Sequence, residues 1–301
     1  MTVYLIDLFC GAGGFSEGAR QAGAVVAVAV DCWDVALDVH KKHHPGAVHM
    51  LRTIGDVPPE QFAQELITAL PENYREGIDW LHVHASPPCQ QVSKARRNRC
   101  DVSDTISLVR YVLDLIDCIS YNSFSIEEVD HHSIRELYDS EGIPWAVIDM
   151  SKHGVPQTRK RLFAFDGWNP YKLKASNPPK LTELLVAPDT AVYVTSSSLC
   201  PGRMQGWARG EYKGGYKRGF HISKPKLVHT CKLFYTVTSA PFFYYDGDFS
   251  FIGGVGLEEL EQLQTFPIGY ITQNATTHRR MLIANAVPPK MAWHIIKTVK
   301  G

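Results

Sequence analysis

The sequence predicts an α/β fold: a doubly wound, mostly parallel sheet that carries a smaller, loop-rich lobe. Three observations lead there. Short apolar runs alternate with helix-periodic stretches through the first half of the chain. A glycine-rich turn, Cys10-Gly11-Ala12-Gly13-Gly14, directly follows the first of those runs. After Gly167 the texture shifts to Pro, Ser, Gly and Tyr without sustained period until about Gly256, which marks the second lobe.

Val3–Leu8 reads as the first strand, and a helix follows from Phe15. Val25–Val30 is a second strand that closes on Asp31. A helix over Asp34–His44 stops before Pro45-Gly46, and one over Pro59–Leu70 places Phe62, Leu66, Ile67 and Leu70 on one face. Trp80–Ala85 is a strand that runs into Ser86-Pro87-Pro88-Cys89. Between Thr105 and Ile119 the apolar positions suit a helix packed on a sheet. Ser123–Val129, Trp145–Asp149 and Leu162–Phe165 are further strands. Alternation of this kind implies crossover helices on both faces, with ligands at the carboxyl ends of the strands. The expected division gives residues 1–166 plus 270–301 to the large lobe and 167–269 to the small one.

With 301 residues, 45% hydrophobic and 21% charged, the chain can bury one full core plus a smaller lobe, which excludes disorder, collagen and coiled coil. Lys+Arg and Asp+Glu both number 31, and a net charge of zero speaks at first against a nucleic-acid partner. The arrangement says otherwise. Residues 167–235 hold eleven basic side chains against three acidic ones, so the rest of the chain is correspondingly acidic. Aromatics interleave with this charge from Gly206 to Arg218, a composition suited to phosphate contact and base stacking. No apolar run has the length to cross a bilayer and no basic region precedes the first apolar residues, so neither membrane insertion nor a signal peptide is expected. The seven cysteines form no CxxC pair, which fits reduced thiols in an intracellular protein and no metal site.

The strand ends carry the chemistry. Glycines in Asp7-Leu8-Phe9-Cys10-Gly11-Ala12-Gly13-Gly14 let backbone N–H groups approach a ligand, although Ser16 stands where a nicotinamide fingerprint needs glycine. Asp31 can take both hydroxyls of a ribose, and Asp56, beside Val57, can read an exocyclic purine amine. Together they outline an adenosine site. Pro87-Pro88-Cys89-Gln90 follows a buried-looking strand and precedes the basic stretch Lys94, Arg96, Arg97, Arg99. A cysteine at the ligand end of a sheet beside a cationic loop favours the thiolate, hence a nucleophile.

Five segments, in order, resemble the cytosine-C5 DNA methyltransferases, over nearly the whole chain. These are Asp7–Phe15, Pro88-Cys89-Gln90, Gly154-Val155-Pro156-Gln157-x-Arg159-x-Arg161, Glu259 with Leu263-Gln264-Thr265-Phe266-Pro267, and Asn285-Ala286-Val287-Pro288-Pro289. The resemblance implies a catalytic S-adenosylmethionine-binding domain formed by the large lobe and a target-recognition domain between the third and fourth of these segments. It implies that Cys89 attacks C6 of a flipped-out cytosine, Glu127 holds or protonates N3, Arg161 binds O2 and Arg159 supports the site. S-adenosylmethionine, leaving as S-adenosylhomocysteine, would lie against Asp7, Phe9, Gly11, Gly13, Gly14, Asp31, Cys32, Trp33, Asp56, Val57, Pro88, Asn285 and Ala286. Double-stranded DNA would meet Gln90, Ser93, Lys94, Arg96, Arg97 and Gln157, and on the small lobe Arg209, Lys213, Lys217 and Arg218. No metal is called for.

Two further readings stand beside this one: a tRNA cytosine-C5 methyltransferase, and a catalytically silent nucleic-acid-binding relative. The family's Glu-Asn-Val is here Glu127-Glu128-Val129, and a second acid beside Glu127 favours a protonated donor. The tenth motif has Ala284 in place of glycine, and Gly253 and Gly256 replace the ninth motif's Arg and Thr. His40, His43 and His44 are expected to cover a helix end, and Cys10 to be a packing residue. With the first motif at Asp7 the chain resembles compact prokaryotic or viral members, expected to be monomeric, in the cytoplasm or a host cell, with a restriction endonuclease as a possible partner.

Overall fold

The computed structural model describes residues 1–88, 103–184, 193–195, 215–217, 220–222, 228–229, 233–245, 247–248, 251–273 and 275–299. Strands and helices alternate as β1 (Val3–Leu8), α1 (Gly14–Gln21), β2 (Val25–Asp31), α2 (Asp34–His43), β3 (Val48–Leu51), α3 (Pro59–Thr68), β4 (Trp80–Ala85), α4 (Ser103–Asp117), β5 (Ser123–Glu128), α5 (His132–Ser140) and β6 (Trp145–Asp149). Two more strands, β7 (Gln157–Thr158) and β8 (Lys160–Asp166), complete this half of the chain.

The central sheet has seven strands in the order β3-β2-β1-β4-β5-β8-β6. The first five run parallel, and β8 lies antiparallel between β5 and β6. The expected doubly wound, mostly parallel sheet is therefore the one observed. The order reverses between β1 and β4, and the crevice at their carboxyl ends is where such sheets hold ligands. Because β8 runs backwards, its first residues lie beside the last residues of β5: Leu162 pairs with Glu128 and Phe163 with Glu127.

Alternation along the strands divides the core into two layers. Ile6, Leu8, Val28, Val30, Val83 and Ile126 face α3, α4 and α5, where Phe62, Leu66, Val109, Val112, Ile116 and Tyr138 are buried. Val3, Leu5 and Val26 face the other side, against Phe15 and Ala19 of α1. The chain returns late to close that side. A terminal helix, Pro289–Val299, lays Met291, Ile295, Ile296 and Val299 onto it, and Trp168 and Leu173 join the same core. The helices meet closely at Gly18, where a Cβ would stand 2.0 Å from the Pro289 carbonyl oxygen.

Further strands are β9 (Tyr193–Thr195), β10 (Gly215–Lys217), β11 (Phe220–Ile222), β12 (Val228–His229), β13 (Phe234–Tyr235), β14 (Phe243–Tyr245) and β15 (Phe251–Gly254), following a short helix α6 (Leu181–Leu184). They form a four-stranded sheet β12-β9-β14-β15 and a hairpin β10-β11. β13 instead pairs with β7, next to the central sheet. Helices α7 (Leu257–Leu263) and α8 (Thr276–Asn285) precede the terminal helix, α9. A third core joins Phe234, Phe242, Tyr244, Leu260, Phe266 and Leu282 to Ala36 and Val39 of α2. Among the described residues, no helix is long and apolar enough to cross a membrane and no group of side chains is placed to hold a metal ion.

Candidate active site

The turn after β1 is wound tightly by positive φ at Phe9 (57°), Gly11 (54°) and Gly13 (89°). Glycine tolerates this; Phe9 does so under strain, a condition common at ligand sites. The Gly11 N–H donates to Asp31 Oδ2 at 2.8 Å and the Trp33 N–H to Asp31 Oδ1 at 2.8 Å, so one carboxylate ties the turn to the end of β2. Burial pushes the Asp31 carboxyl up, while the Trp33, Gly11 and Cys32 amides pull it back. Gly11 faces open space, whereas a Cβ on Gly14 would stand 2.3 Å from the Val287 carbonyl oxygen and 3.0 Å from Ala286 Cβ. The turn and the Asn285–Pro289 segment thus pack on each other, as the resemblance implies.

An open turn and a half-buried acid with lone pairs to spare fit a nucleoside-bearing cofactor; Phe9 packs against the core of β1, β2 and β4, and Trp33 against that shared with α2. Trp33 stands edge-on to His278 at 5.4 Å. Cys32 and Asn285 are exposed, as is Pro88. Asp56 is less free than expected: its carboxylate is held by Arg52 Nε at 2.9 Å, and an adenine amine would have to displace that contact. Val57 offers its carbonyl to the Tyr111 hydroxyl at 2.9 Å. Cys10 is buried, and burial pushes its thiol well up, so it packs and does not react.

Beneath the turn runs a buried polar chain. Ser16 Oγ donates to Asp7 Oδ2 at 2.5 Å, His40 Nε2 lies 3.0 Å from Ser16 Oγ, and His40 Nδ1 lies 2.8 Å from His49 Nε2. Burial raises the Asp7 carboxyl to about 7, with the Ser16 hydrogen bond opposing. His40 does not cover a helix end as expected, whereas His44 does stand at the C-cap of α2. Both are buried, since they share the inward face of α2 with Ala36, and burial keeps both neutral near pH 7, His44 at about 4. Helical spacing from Ala36 to His40 to His44 was the signal that could have shown it.

An acid–arginine cluster is built where β5 ends and β8 begins. Arg161 Nε lies 2.9 Å from Glu127 Oε1, and Arg159 Nη2 lies 3.9 Å from the same oxygen. Arg159 also donates to the Ala284 carbonyl at 3.2 Å and the Ala286 carbonyl at 3.3 Å, so one guanidinium spans from the acid to the backbone around Asn285. Glu128 points to the opposite face of the sheet, fully buried, and burial followed by the nearness of Glu127 pushes its carboxyl well up. Burial thus favours its protonated, neutral form.

Gln157, expected at the substrate, does not reach it. Its amide is wholly buried, donating to the Leu263 carbonyl at 2.9 Å and to Gln264 Oε1 at 2.5 Å, and accepting from the Val237 N–H at 3.0 Å. Gln264 in turn donates to the Ala286 carbonyl at 2.7 Å. Gln264 was not among the expected site residues; no local pattern reveals partners so far apart in the chain. Glu259 is likewise structural, accepting from the Gly256 N–H and the Tyr244 hydroxyl at 2.5 and 2.7 Å. Cys89, Gln90, Ser93, Lys94, Arg96, Arg97, Arg209, Lys213 and Arg218 lie outside the described residues, as does the side chain of Lys217.

Comparison with known proteins agrees with this geometry. The C-5 cytosine-specific DNA methylase family matches residues 3–185. The Type II methyltransferase M.AgeI of Thalassovita gelatinovora is 31% identical over 185 residues, 58% of this chain and 41% of its own. M.HgiDI of Herpetosiphon aurantiacus is 32% identical over 168 residues, 52% of this chain and 50% of its own. The chain thus spans about half the length of these relatives. In fold, it superimposes with a TM-score of 0.69 and 17% identity on a prophage-encoded E. coli protein assigned as a DNA modification methyltransferase, covering 99% of both chains. The match to more than half of its residues, over the turn, the strand ends and the acid–arginine cluster just described, makes this chain a member of the C-5 cytosine-specific DNA methylase family.

Proposed function

We propose that the protein transfers a methyl group to C5 of cytosine in double-stranded DNA. The observation that carries this reading is the Glu127 carboxylate flanked by Arg161 and Arg159, one strand from β4, which leads directly through Pro87-Pro88 to Cys89. The family depends on S-adenosylmethionine, which supplies the methyl group when bound. Asp31 would take the ribose hydroxyls, and Phe9 and Trp33 would border the adenine.

C5 of cytosine is a weak nucleophile. Bond formation between the Cys89 sulfur and C6 moves the ring electrons to C5, which then takes the methyl. Loss of the C5 proton to a base restores the double bond and breaks the S–C6 bond. Glu127 would hold N3 and Arg161 the O2 oxygen, drawing electrons from the ring as the thiolate adds. Because C6 is out of reach inside a duplex, the base must leave the stack. Residues 1–166 with 270–301 would form the catalytic unit, and 167–269 the unit that reads DNA. The test is transfer of labelled methyl to duplex DNA and to tRNA, with Cys89→Ser as control. Label in DNA that Cys89→Ser abolishes is expected; label in tRNA alone would overturn the choice of substrate, and no label in either would favour a silent binding protein.

A further inference from the structure

Away from the crevice, three segments distant in sequence meet on the α1 side of the sheet: the turn 150–154, the strap 170–180 and helix α9. His153 Nδ1 lies 3.0 Å from the Lys174 carbonyl oxygen, its backbone bridges to Ser176, and its ring centre is 5.8 Å from that of His294. A Cβ at Gly154 would stand 3.3 Å from Lys290 Cε. Leu173 pins the strap to the core that α9 completes. These three segments carry Lys152, Lys172, Lys174, Lys180, Lys290 and Lys297 and no Asp or Glu; Lys297 Nζ also donates to the Ala22 carbonyl at 3.1 Å.

Aromatic rings are set among these charges. Lys290 Nζ stands 4.9 Å and Lys297 Nζ 5.7 Å from the centre of the Trp293 ring. Tyr171, beside Lys172, is 87% exposed. The neighbouring acids are already engaged: Asp149 accepts from Ser151 and lies 4.0 Å from Lys160 Nζ, and Glu183 lies 3.4 Å from the Lys180 amide. Burial first, then Lys290 and His153, pushes His294 down to about 4, so the His294 ring adds no charge near neutral pH. Such a surface matches a polyanion of regular spacing, not an acidic side chain or two.

Its place relative to the site is informative. His153 precedes Gln157 by four residues and Arg159 by six, and Lys290 follows the Ala286 carbonyl that Arg159 grips by four. The basic segments are thus joined in the chain to those that carry Arg159 and the carbonyl it grips. We propose that the surface they form is a second contact surface for duplex DNA, taking backbone phosphates that flank the target cytosine; this rests on the function proposed above. The interaction is with phosphate and independent of sequence, distinct from base reading. Lys152, Lys174 and Lys290 are its centre.

The experiment compares the full chain with the variant Lys152→Gln/Lys174→Gln/Lys290→Gln, binding random-sequence duplexes of 14 and 40 base pairs across a salt series. Binding of S-adenosylhomocysteine by both proteins checks that the variant is folded. Three lost phosphate contacts should flatten the slope of log affinity against log salt by roughly 2 to 3 on the long duplex, and weaken binding there roughly tenfold or more at low salt. The short duplex should bind both proteins nearly alike. An unchanged slope on the long duplex overturns the proposal, as does equal weakening on both lengths, which would place these lysines at the target itself. A surface that prefers a single-stranded RNA of 40 nucleotides to the 40-base-pair duplex, and loses that preference in the variant, overturns the assignment to duplex DNA. Methyl transfer is scored separately: wild-type protein that binds long duplexes through these lysines but methylates none would defeat the enzymatic reading and leave the surface standing.

Discussion

Glu128→Gln should make the protein more stable at neutral pH, the reverse of what most substitutions at fully buried positions do. Glu128 is inaccessible, faces the core side of β5 that packs α4 and α5, and neither of its carboxyl oxygens has a hydrogen-bond partner. Burial, then the charge of Glu127, holds its pKa well above that of an ordinary carboxyl. A group of this kind binds more protons folded than unfolded. Its contribution is therefore intact below the unfolded pKa of roughly 4.3 and is lost as pH rises towards the folded value. The loss runs at about 1.4 kcal/mol per pH unit, so between pH 5 and pH 7 it amounts to as much as ~3 kcal/mol. Gln keeps the shape and does not ionise, and the other titrations cancel when the two proteins are subtracted. Urea unfolding of both at pH 5, 6 and 7 should show the variant gaining on the wild type with each step. A difference that stays flat across that range would mean that Glu128 ionises freely in the folded protein, and the burial argument would fail.

Two further outcomes follow from close contacts. Gly18→Ala should cost about 1–3 kcal/mol, because the new methyl meets the Pro289 carbonyl at 2.0 Å and Ala292 Cβ at 2.7 Å and forces α1 from α9; the denaturant midpoint should fall, while Gly46→Ala, in open space, leaves it in place. Gln264→Leu removes the acceptor of Gln157 and a donor to the Ala286 carbonyl, both buried, which should cost about 1–3 kcal/mol and weaken binding of S-adenosylhomocysteine measured by calorimetry. Full stability with unaltered affinity would show that Gln264 positions nothing.

Local chemistry was legible in the sequence. Turn glycines, Asp31 at a strand end and the arginines after Gln157 declare themselves within a few residues, and the structure sets Gly11 on Asp31 and Arg161 on Glu127. Long-range pairing was not legible. The direction of β8 depends on its lying between β5 and β6, and the run Leu162–Phe165 carries no mark of that. Gln157 reads as a polar residue in a basic motif, yet its amide is consumed by Leu263 and Gln264, over a hundred residues away. Position alone marks Asp56 as a candidate, but Arg52, four residues before it, holds its carboxylate. The side taken by Glu128 was readable from strand alternation, since it falls in phase with Phe124 and Ile126; its protonation state required knowing that the face is dry.

Arg159 Nη2 lies 3.9 Å from Glu127 Oε1 and also holds the Ala286 carbonyl, while Nη1 holds that of Ala284. A rigid planar cation shared between two pockets makes them thermodynamically linked: whatever settles the Ala284–Ala286 backbone also settles the guanidinium, and the reverse. Linkage is reciprocal, so a nucleoside thioether that tightens the hold on a flipped base by some factor must itself be held more tightly, by that same factor, once the base has arrived. Order of addition would then be a kinetic matter, and the two ligands a cooperative pair.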